Sequence, residues 1–410
     1  MKKKFKILLV ISIFFSFLLY ILANNSIGRN DVIFFSKLKK FIPDNYKTYL
    51  KETVFIFKNQ NNLKKKLKEL NELKRNKDDQ FNLIVNKKTV FNQFIHAFKI
   101  DLNKDLMPLR KTILDKYILN ESQISFIKKN DFNKNIESIK HKISNNFEVY
   151  EVKYYDILHF SILEKTKKKS NKLLIYNQGH GGNPYNFSYF IKIKEKFKTE
   201  GYDVMSLSMT GLGYNKNENI NFPNINKKFN AENHETYSTY FDEKFSNKEP
   251  LSLMLSGNYF LIKNMIKKND YKEVVMIGIS GGGWYTTLLS SVITNINTSY
   301  SFAGTIPLIF RLYNDYGDWE QVESSLYDKV SYNTLYILST LDENNKPNRN
   351  HYQIYNSEDS CCFKYPSNEM VKNIYDELNI KNFKVFINKN NKHSINTEFF
   401  FNFFFNSSVD

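Results

Sequence analysis

The chain has 410 residues, with 59 Lys and Arg against 42 Asp and Glu, and a formal net charge of +17. Apolar residues make up 41% and aromatics 16%, with 14 Gly and 8 Pro, which excludes a disordered, collagen-like or Gly/Pro-rich chain. Two cysteines, adjacent at Cys361 and Cys362, exclude a disulfide scaffold, and neighbours in sequence do not readily bridge each other. The excess charge is mostly Lys, scattered among Asn, Ile, Phe and Tyr with no Arg-rich stripe and no nucleic-acid motif. It reads as solvated surface, and no nucleic-acid partner is expected. The length fits one domain of catalytic size plus something smaller.

Lys2, Lys3, Lys4 and Lys6 precede an apolar run from Ile7 to Ala23. A basic start followed by such a run is an export signal, either a membrane anchor or a cleaved signal peptide over residues 1–24. The lysines keep the N-terminus cytoplasmic. The rest of the chain is then expected outside the inner membrane, anchored there or secreted after cleavage. Between residues 45 and 75, Leu50, Val54 and Phe57, then Leu63, Leu67 and Leu70, recur at helical spacing. This amphipathic helix is either a stalk that supports a homo-oligomer or a helix packed on the body of the chain. Residues 25–146 read as a helical N-terminal region; 76–146 show mixed helices and polar loops and no evident chemistry.

From residue 147 the texture changes. Phe147–Tyr155 and Ile157–Leu163 are β-rich and close enough for a hairpin. Lys172–Asn177 is a short apolar run of the buried-strand kind, and it ends in Gly179-His180-Gly181-Gly182. A helix over about 186–200, a strand over 202–208, a helix over 251–268 and a strand over 273–279 follow. Later strands are expected at 351–356 and 383–387, with a helix at 367–378 between them. The alternation predicts an α/β domain over 147–410, its mostly parallel central sheet covered by helices on both faces. The polar, Asn-rich stretch 214–250 reads as a cap-like insertion.

Gly278-Ile279-Ser280-Gly281-Gly282 lies between an apolar strand and a helical run that starts near Trp284. In that context G-x-S-x-G is a nucleophile elbow, with Ser280 presented at the carboxyl edge of the sheet. The base must follow it in sequence. Of seven histidines only His351 and His393 do, and His351 opens a strand, at the wrong end of the sheet. His393, in a polar loop after the 383–387 strand, is the expected base. Two aspartates compete to orient it. Asp359 precedes His393 by 34 residues, room for one helix and one strand; Asp342 is the alternative. The oxyanion hole is expected from the backbone N–H of Gly281 and from Gly182, with Gly181 as the other candidate. No metal-spaced cluster of His, Cys, Asp or Glu appears, and this chemistry needs neither metal nor organic cofactor.

The Gly-rich loop, the elbow, the late acid and the terminal histidine together resemble the α/β-hydrolase superfamily from about residue 147 onward. The runs Met276–Trp284 (MIGISGGGW) and Gln353–Phe363 (QIYNSEDSCCF) are similar to those of one bacterial branch of it. The resemblance implies Asp359 as the acid and Cys361 and Cys362 as packing residues beside its loop. It implies a serine hydrolase acting mostly on carboxylic esters; some relatives cleave peptides or transfer acyl groups. The expected substrate is a small-molecule or surface-glycan ester. The reading from a different class is a catalytically inactive, membrane-anchored interaction module.

Overall fold

The structure is a computed structural model that describes residues 105–216, 232–234, 236–237, 248–313, 317–327, 329–365 and 367–406. The expected membrane segment (1–24) and the amphipathic helix (45–75) lie outside these residues, as does most of the expected cap. Among the described residues, no helix is long and apolar enough to cross a membrane. The sheet belongs to one compact unit, Asp101–Pro307 with Gly317–Asp410.

In that unit α1 (Met107–Tyr117) leads to β1 (Ser125–Lys129), β2 (Phe147–Tyr154), β3 (Ile157–Glu164), β4 (Lys172–Asn177) and α2 (Ser188–Thr199). Then come β5 (Asp203–Leu207), α3 (Ser252–Asn269), β6 (Glu273–Ile279), α4 (Gly281–Val292) and β7 (Thr298–Phe302). The chain closes with α5 (Tyr332–Leu338), β8 (Asn350–Asn356), α6 (Ser367–Leu378), β9 (Phe383–Asn388) and α7 (Thr397–Asn406). These strands form one sheet in the order β1-β2-β3-β5-β4-β6-β7-β8-β9. From β1 to β5 along that order neighbours are antiparallel. From β5 to β9 every pair is parallel, so their carboxyl ends share one edge.

The central strands read as unbroken apolar runs because both of their faces are covered. In β6, Val275, Ile277 and Ile279 share a core with Phe190 and Phe197 of α2 and Phe400 of α7. The alternate residues Val274 and Met276 are fully buried on the opposite face, the side on which α4 packs. Each such side chain stabilises the fold by about 1.5–3 kcal/mol. In α6, Met370, Val371, Ile374, Tyr375 and Leu378 are buried at helical spacing, which is why this helix was legible from periodicity.

Three expectations need correction. The body of the domain begins before residue 147: β1 pairs with β2 along its whole length. The buried guanidinium of Arg110 in α1 donates to the carbonyls of Ser291, Leu338 and Leu341, at 3.0, 2.9 and 2.7 Å. It thereby ties α1 to the carboxyl ends of α4 and α5. The 76–146 stretch therefore contributes to the sheet and its cover from residue 105 on. Second, an element missing from the expected order precedes Asp342: the helix α5 over Tyr332–Leu338, whose Thr334 N–H donates to the Ser331 hydroxyl. Third, periodicity did not mark β1 or β7. β1 is a polar edge strand with no apolar alternation, and β7 (TSYSF) carries Ser and Thr in a buried position.

Candidate active site

Ser280 joins β6 to α4 with φ 57° and ψ −131°, a left-handed conformation that a non-glycine residue holds only under constraint. The constraint is the closeness of the turn. A Cβ on Gly278 would lie 2.1 Å from the Gly282 carbonyl oxygen, and one on Gly282 would lie 2.1 Å from that of Asn177. Neither position accepts a side chain, so the strand runs into the helix with Ser280 as the single connecting residue. α4 accordingly begins at Gly281, three residues before the expected start near Trp284. The N–H of Gly281, in the first turn, has no partner within the helix.

His393 lies in the loop between β9 and α7. Its Nδ1 is 2.9 Å and 3.1 Å from the two carboxylate oxygens of Asp359, which follows β8. Asp359 is fully buried, and its Oδ1 also accepts the backbone N–H groups of Cys361 and Cys362 at 2.8 and 3.0 Å. Burial alone would raise the Asp359 carboxyl. The hydrogen bond and charge of His393, with the donors from Asn356 and Cys361, outweigh burial and hold it below the ordinary carboxylate value. With Nδ1 committed, His393 Nε2 is buried and makes no hydrogen bond. It is the one ring position left to accept a proton.

Asp342, the alternative acid, sits between α5 and β8, at the amino end of the parallel strands. Its carboxylate closes its own turn: Oδ1 accepts the N–H groups of Asn344 and Lys346, and Oδ2 the side-chain amide of Asn348. These partners include no histidine, and the carboxylate faces solvent. His351 is buried in β8 between Ser299 Oγ at 2.7 Å and Gln353 Nε2 at 2.9 Å. Burial, followed by the charge of Arg349, pushes its imidazole down to about 3.

The Gly-rich loop after β4 departs from expectation. The Gly182 N–H donates to the Gly179 carbonyl at 3.0 Å, so it is spent inside the loop and does not serve as an oxyanion donor. Gly179 is the residue pressed on the elbow: a Cβ there would lie 2.7 Å from Ser280 Cβ and 2.9 Å from the Gly281 nitrogen. The N–H groups of His180 and Gly181 follow it, and neither hydrogen-bonds to a described residue. The His180 ring lies over Gly281, where an added Cβ would approach its Cε1 and Nδ1 to 2.8 Å. Cys361 and Cys362 also depart from expectation: they are joined in a disulfide, with Cα atoms 3.8 Å apart, and Cys361 is exposed rather than packed.

Several residues of this edge were not singled out. Asn356, the last residue of β8, donates from Nδ2 to Asp359 Oδ2 at 2.9 Å and to the carbonyls of Lys392 and Ser394 at 3.0 and 3.1 Å. Its Oδ1 accepts from Asn388 and Asn390, both at 3.2 Å. One amide thus holds the acid and both neighbours of His393 together, and no sequence signal marks it. The second group is His180, His234 and Glu320. Glu320 is fully buried, with Oε2 3.1 Å from His234 Nδ1 and Oε1 3.0 Å from His180 Nε2. Burial alone would lower His180, but the carboxylate of Glu320 and then that of Asp318 pull it up to about 9. Against the opposing effect of burial, His234 and His180 hold Glu320 far below the usual carboxylate range.

No protein-family model matches the chain, and no curated protein matches it. Among solved structures, the chain is similar to Est1E from Butyrivibrio proteoclasticus, solved with ferulic acid bound, at 15% identity and a TM-score of 0.40 over 60% of this chain and 91% of that one. It is similar to acetyl xylan esterase 1 from Thermoanaerobacterium sp. at 11% identity and a TM-score of 0.42, over 72% of this chain and 95% of that one. A glucuronoyl esterase of carbohydrate esterase family 15 from Caldicellulosiruptor kristjansonii gives 11% identity and a TM-score of 0.44, over 72% and 82%. A serine on a strained strand-to-helix turn, a carboxylate after a later strand and a histidine after the last one, in that chain order on a mostly parallel sheet, are the arrangement of an α/β-hydrolase fold.

Proposed function

We propose that the chain is a serine hydrolase that cleaves a carboxylic ester through an acyl-enzyme on Ser280, with His393 as base and Asp359 as the acid that orients it. The observation that carries this reading is the state of His393: Nδ1 is clamped on a buried carboxylate while Nε2 stays buried and unbonded. His351 instead has both nitrogens occupied, and His159, which also leaves one nitrogen open, has its other nitrogen on the Tyr154 hydroxyl and not on a carboxylate. In the reaction Ser280 Oγ attacks the acyl carbonyl and passes its proton to His393 Nε2. Asp359 stabilises the imidazolium that results. Gly281 N–H and, in place of Gly182, the N–H of His180 or Gly181 receive the negative charge that develops on the carbonyl oxygen. The imidazolium then protonates the leaving alcohol, and water attacks the acyl-enzyme by the same route.

The substrate proposed is a small-molecule or surface-glycan ester met outside the inner membrane. The Lys2–Ala23 pattern supports export or anchoring, and the 45–75 periodicity supports homo-oligomer formation; protease accessibility in intact cells and sedimentation of the full chain test them. For catalysis, a fluorophosphonate probe is applied to the full chain. Labelling is expected in wild type and in Asp342→Ala, and is expected to vanish in Ser280→Ala. A folded wild-type protein that takes no label sinks the serine hydrolase reading and favours the inactive interaction module.

A further inference from the structure

We propose that His180, His234 and Glu320 form a binding site for one divalent transition-metal ion of the zinc class. The three residues reach the same point from three separate loops: His180 after β4, His234 from the segment that follows β5, and Glu320 from the connection between β7 and β8. One donor atom from each lies within 4.8 Å of the other two.

Ring orientation gives the first argument. His234 Nε2 is 3.1 Å from the carbonyl oxygen of Thr210, which only accepts, so Nε2 donates there. The other nitrogen, Nδ1, is turned to a carboxylate oxygen of Glu320 at 3.1 Å. A metal-binding histidine has this very arrangement, with one nitrogen on the ion and the other donating to a backbone carbonyl.

The second argument comes from unfilled polar atoms. His180 Nε2 and Glu320 Oε1 are 3.0 Å apart, yet their geometry is not that of a hydrogen bond, and each is buried with no hydrogen-bond partner. Glu320 is fully buried, so its open oxygen has no water to turn to. The exposed carboxylate of Asp318 stands 3.4 Å from the same His180 nitrogen. Two imidazole nitrogens and one carboxylate oxygen are a donor set that zinc accepts with a fourth position left open. Calcium and magnesium prefer oxygen throughout. The other cluster of potential ligands, Cys361, Cys362 and His393, is already committed, since the cysteines bond to each other and His393 Nδ1 to Asp359.

Such an ion ties the loop that presses on the elbow to the 232–237 segment and to the Asp318–Gln321 turn. Because the His180 ring lies against Gly281, its part is to position the loop that presses on the elbow. The site does not depend on the catalytic reading. The test is zinc titration of the chelator-treated full chain in detergent, by calorimetry and elemental analysis, with cobalt absorption as a spectroscopic check. Wild type, Ser280→Ala and the double variant Cys361→Ala/Cys362→Ala are expected to bind one zinc and to give the visible bands of low-coordinate cobalt. His234→Ala and Glu320→Gln are expected to bind at least about 10-fold more weakly. A folded wild-type chain that takes up no stoichiometric zinc or cobalt overturns the proposal without help from any variant. Unchanged affinity in folded His234→Ala and Glu320→Gln overturns it as well. Loss of binding in Cys361→Ala/Cys362→Ala would move the metal to the other corner and refute the assignment.

Discussion

Asp359 and Glu320 are buried carboxylates at the same edge of the sheet, and they hold histidine in opposite ways. Asp359 gives itself to one ring and fills its remaining capacity with Asn356 and two backbone N–H groups. Its histidine keeps a free nitrogen. Glu320 divides its two oxygens between two rings and draws no backbone donor among the described residues. Its histidines turn one nitrogen each, His180 Nε2 and His234 Nδ1, toward that single carboxylate. A carboxylate saturated by fixed donors orients a base, whereas one shared between two imidazoles is a set of ligands. Glu164 is a third case: it sits buried between Lys194 at 3.1 Å, the Tyr185 hydroxyl at 2.8 Å and the Ser144 N–H at 2.9 Å, with no histidine at all.

The largest effect expected from this comparison is on turnover. His393→Ala is expected to lower kcat on a 4-nitrophenyl ester by about 10⁶-fold and Asp359→Asn by about 10⁴-fold, with folding unchanged by circular dichroism. The acid costs less because it orients and stabilises while the base carries the proton. Comparable turnover in wild type and His393→Ala would erase the distinction between the two corners.

The corner proposed as catalytic was legible because its parts follow a rule of chain order. Ser280, Asp359 and His393 each end a strand or follow one, and parallel strands bring such positions to one edge. The Glu320 corner obeys no order. His180, His234 and Glu320 span 140 residues and meet only through the fold, so their spacing carries no metal signature. The Gly182 error has a similar root: which N–H of a Gly-rich loop is free depends on how the loop closes on itself, and here it closes on Gly179. In the fold, strands with apolar runs were found and the two polar ones, β1 and β7, were not: β1 is a largely exposed edge strand, and β7 is buried between its neighbours although it carries serines.

Glu164 sets the scale for a carboxylate that only stabilises. Glu164→Gln leaves Lys194 buried beside a neutral group and is expected to cost about 3 kcal/mol in chemical denaturation. Burial would raise this carboxyl, but the Lys194 charge and the Ser144 and Tyr185 donors outweigh it and lower its pKa from 4.5. A lowered native value means its contribution is complete above the ordinary carboxylate range and is lost as pH falls through the native pKa. The wild-type advantage over Glu164→Gln is therefore expected to shrink only below about pH 4.5. An advantage that is flat across acid pH would mean that Glu164 is neutral in the native state.

Asn356→Ala tests whether one amide holds the catalytic corner. It removes the link between Asp359 and the carbonyls on both sides of His393. Misplacing a catalytic group by about 1 Å costs about 10²-fold, and the loss is expected in kcat with KM little changed. A loss confined to stability would make Asn356 a packing residue.

The smallest effect is expected at the competitor. Asp342 contributes only to its own exposed turn, through Asn344, Lys346 and Asn348. Its carboxyl is lowered chiefly by the backbone N–H of Lys346, a turn contact that reaches no histidine. Asp342→Ala is expected to keep kcat within about twofold of wild type. Run beside Asp359→Asn, it turns the comparison of carboxylates into a decision. If turnover instead collapses in Asp342→Ala and survives in Asp359→Asn, then a saturated buried carboxylate on His393 is not what orients the base, and the argument built on the free Nε2 falls with it.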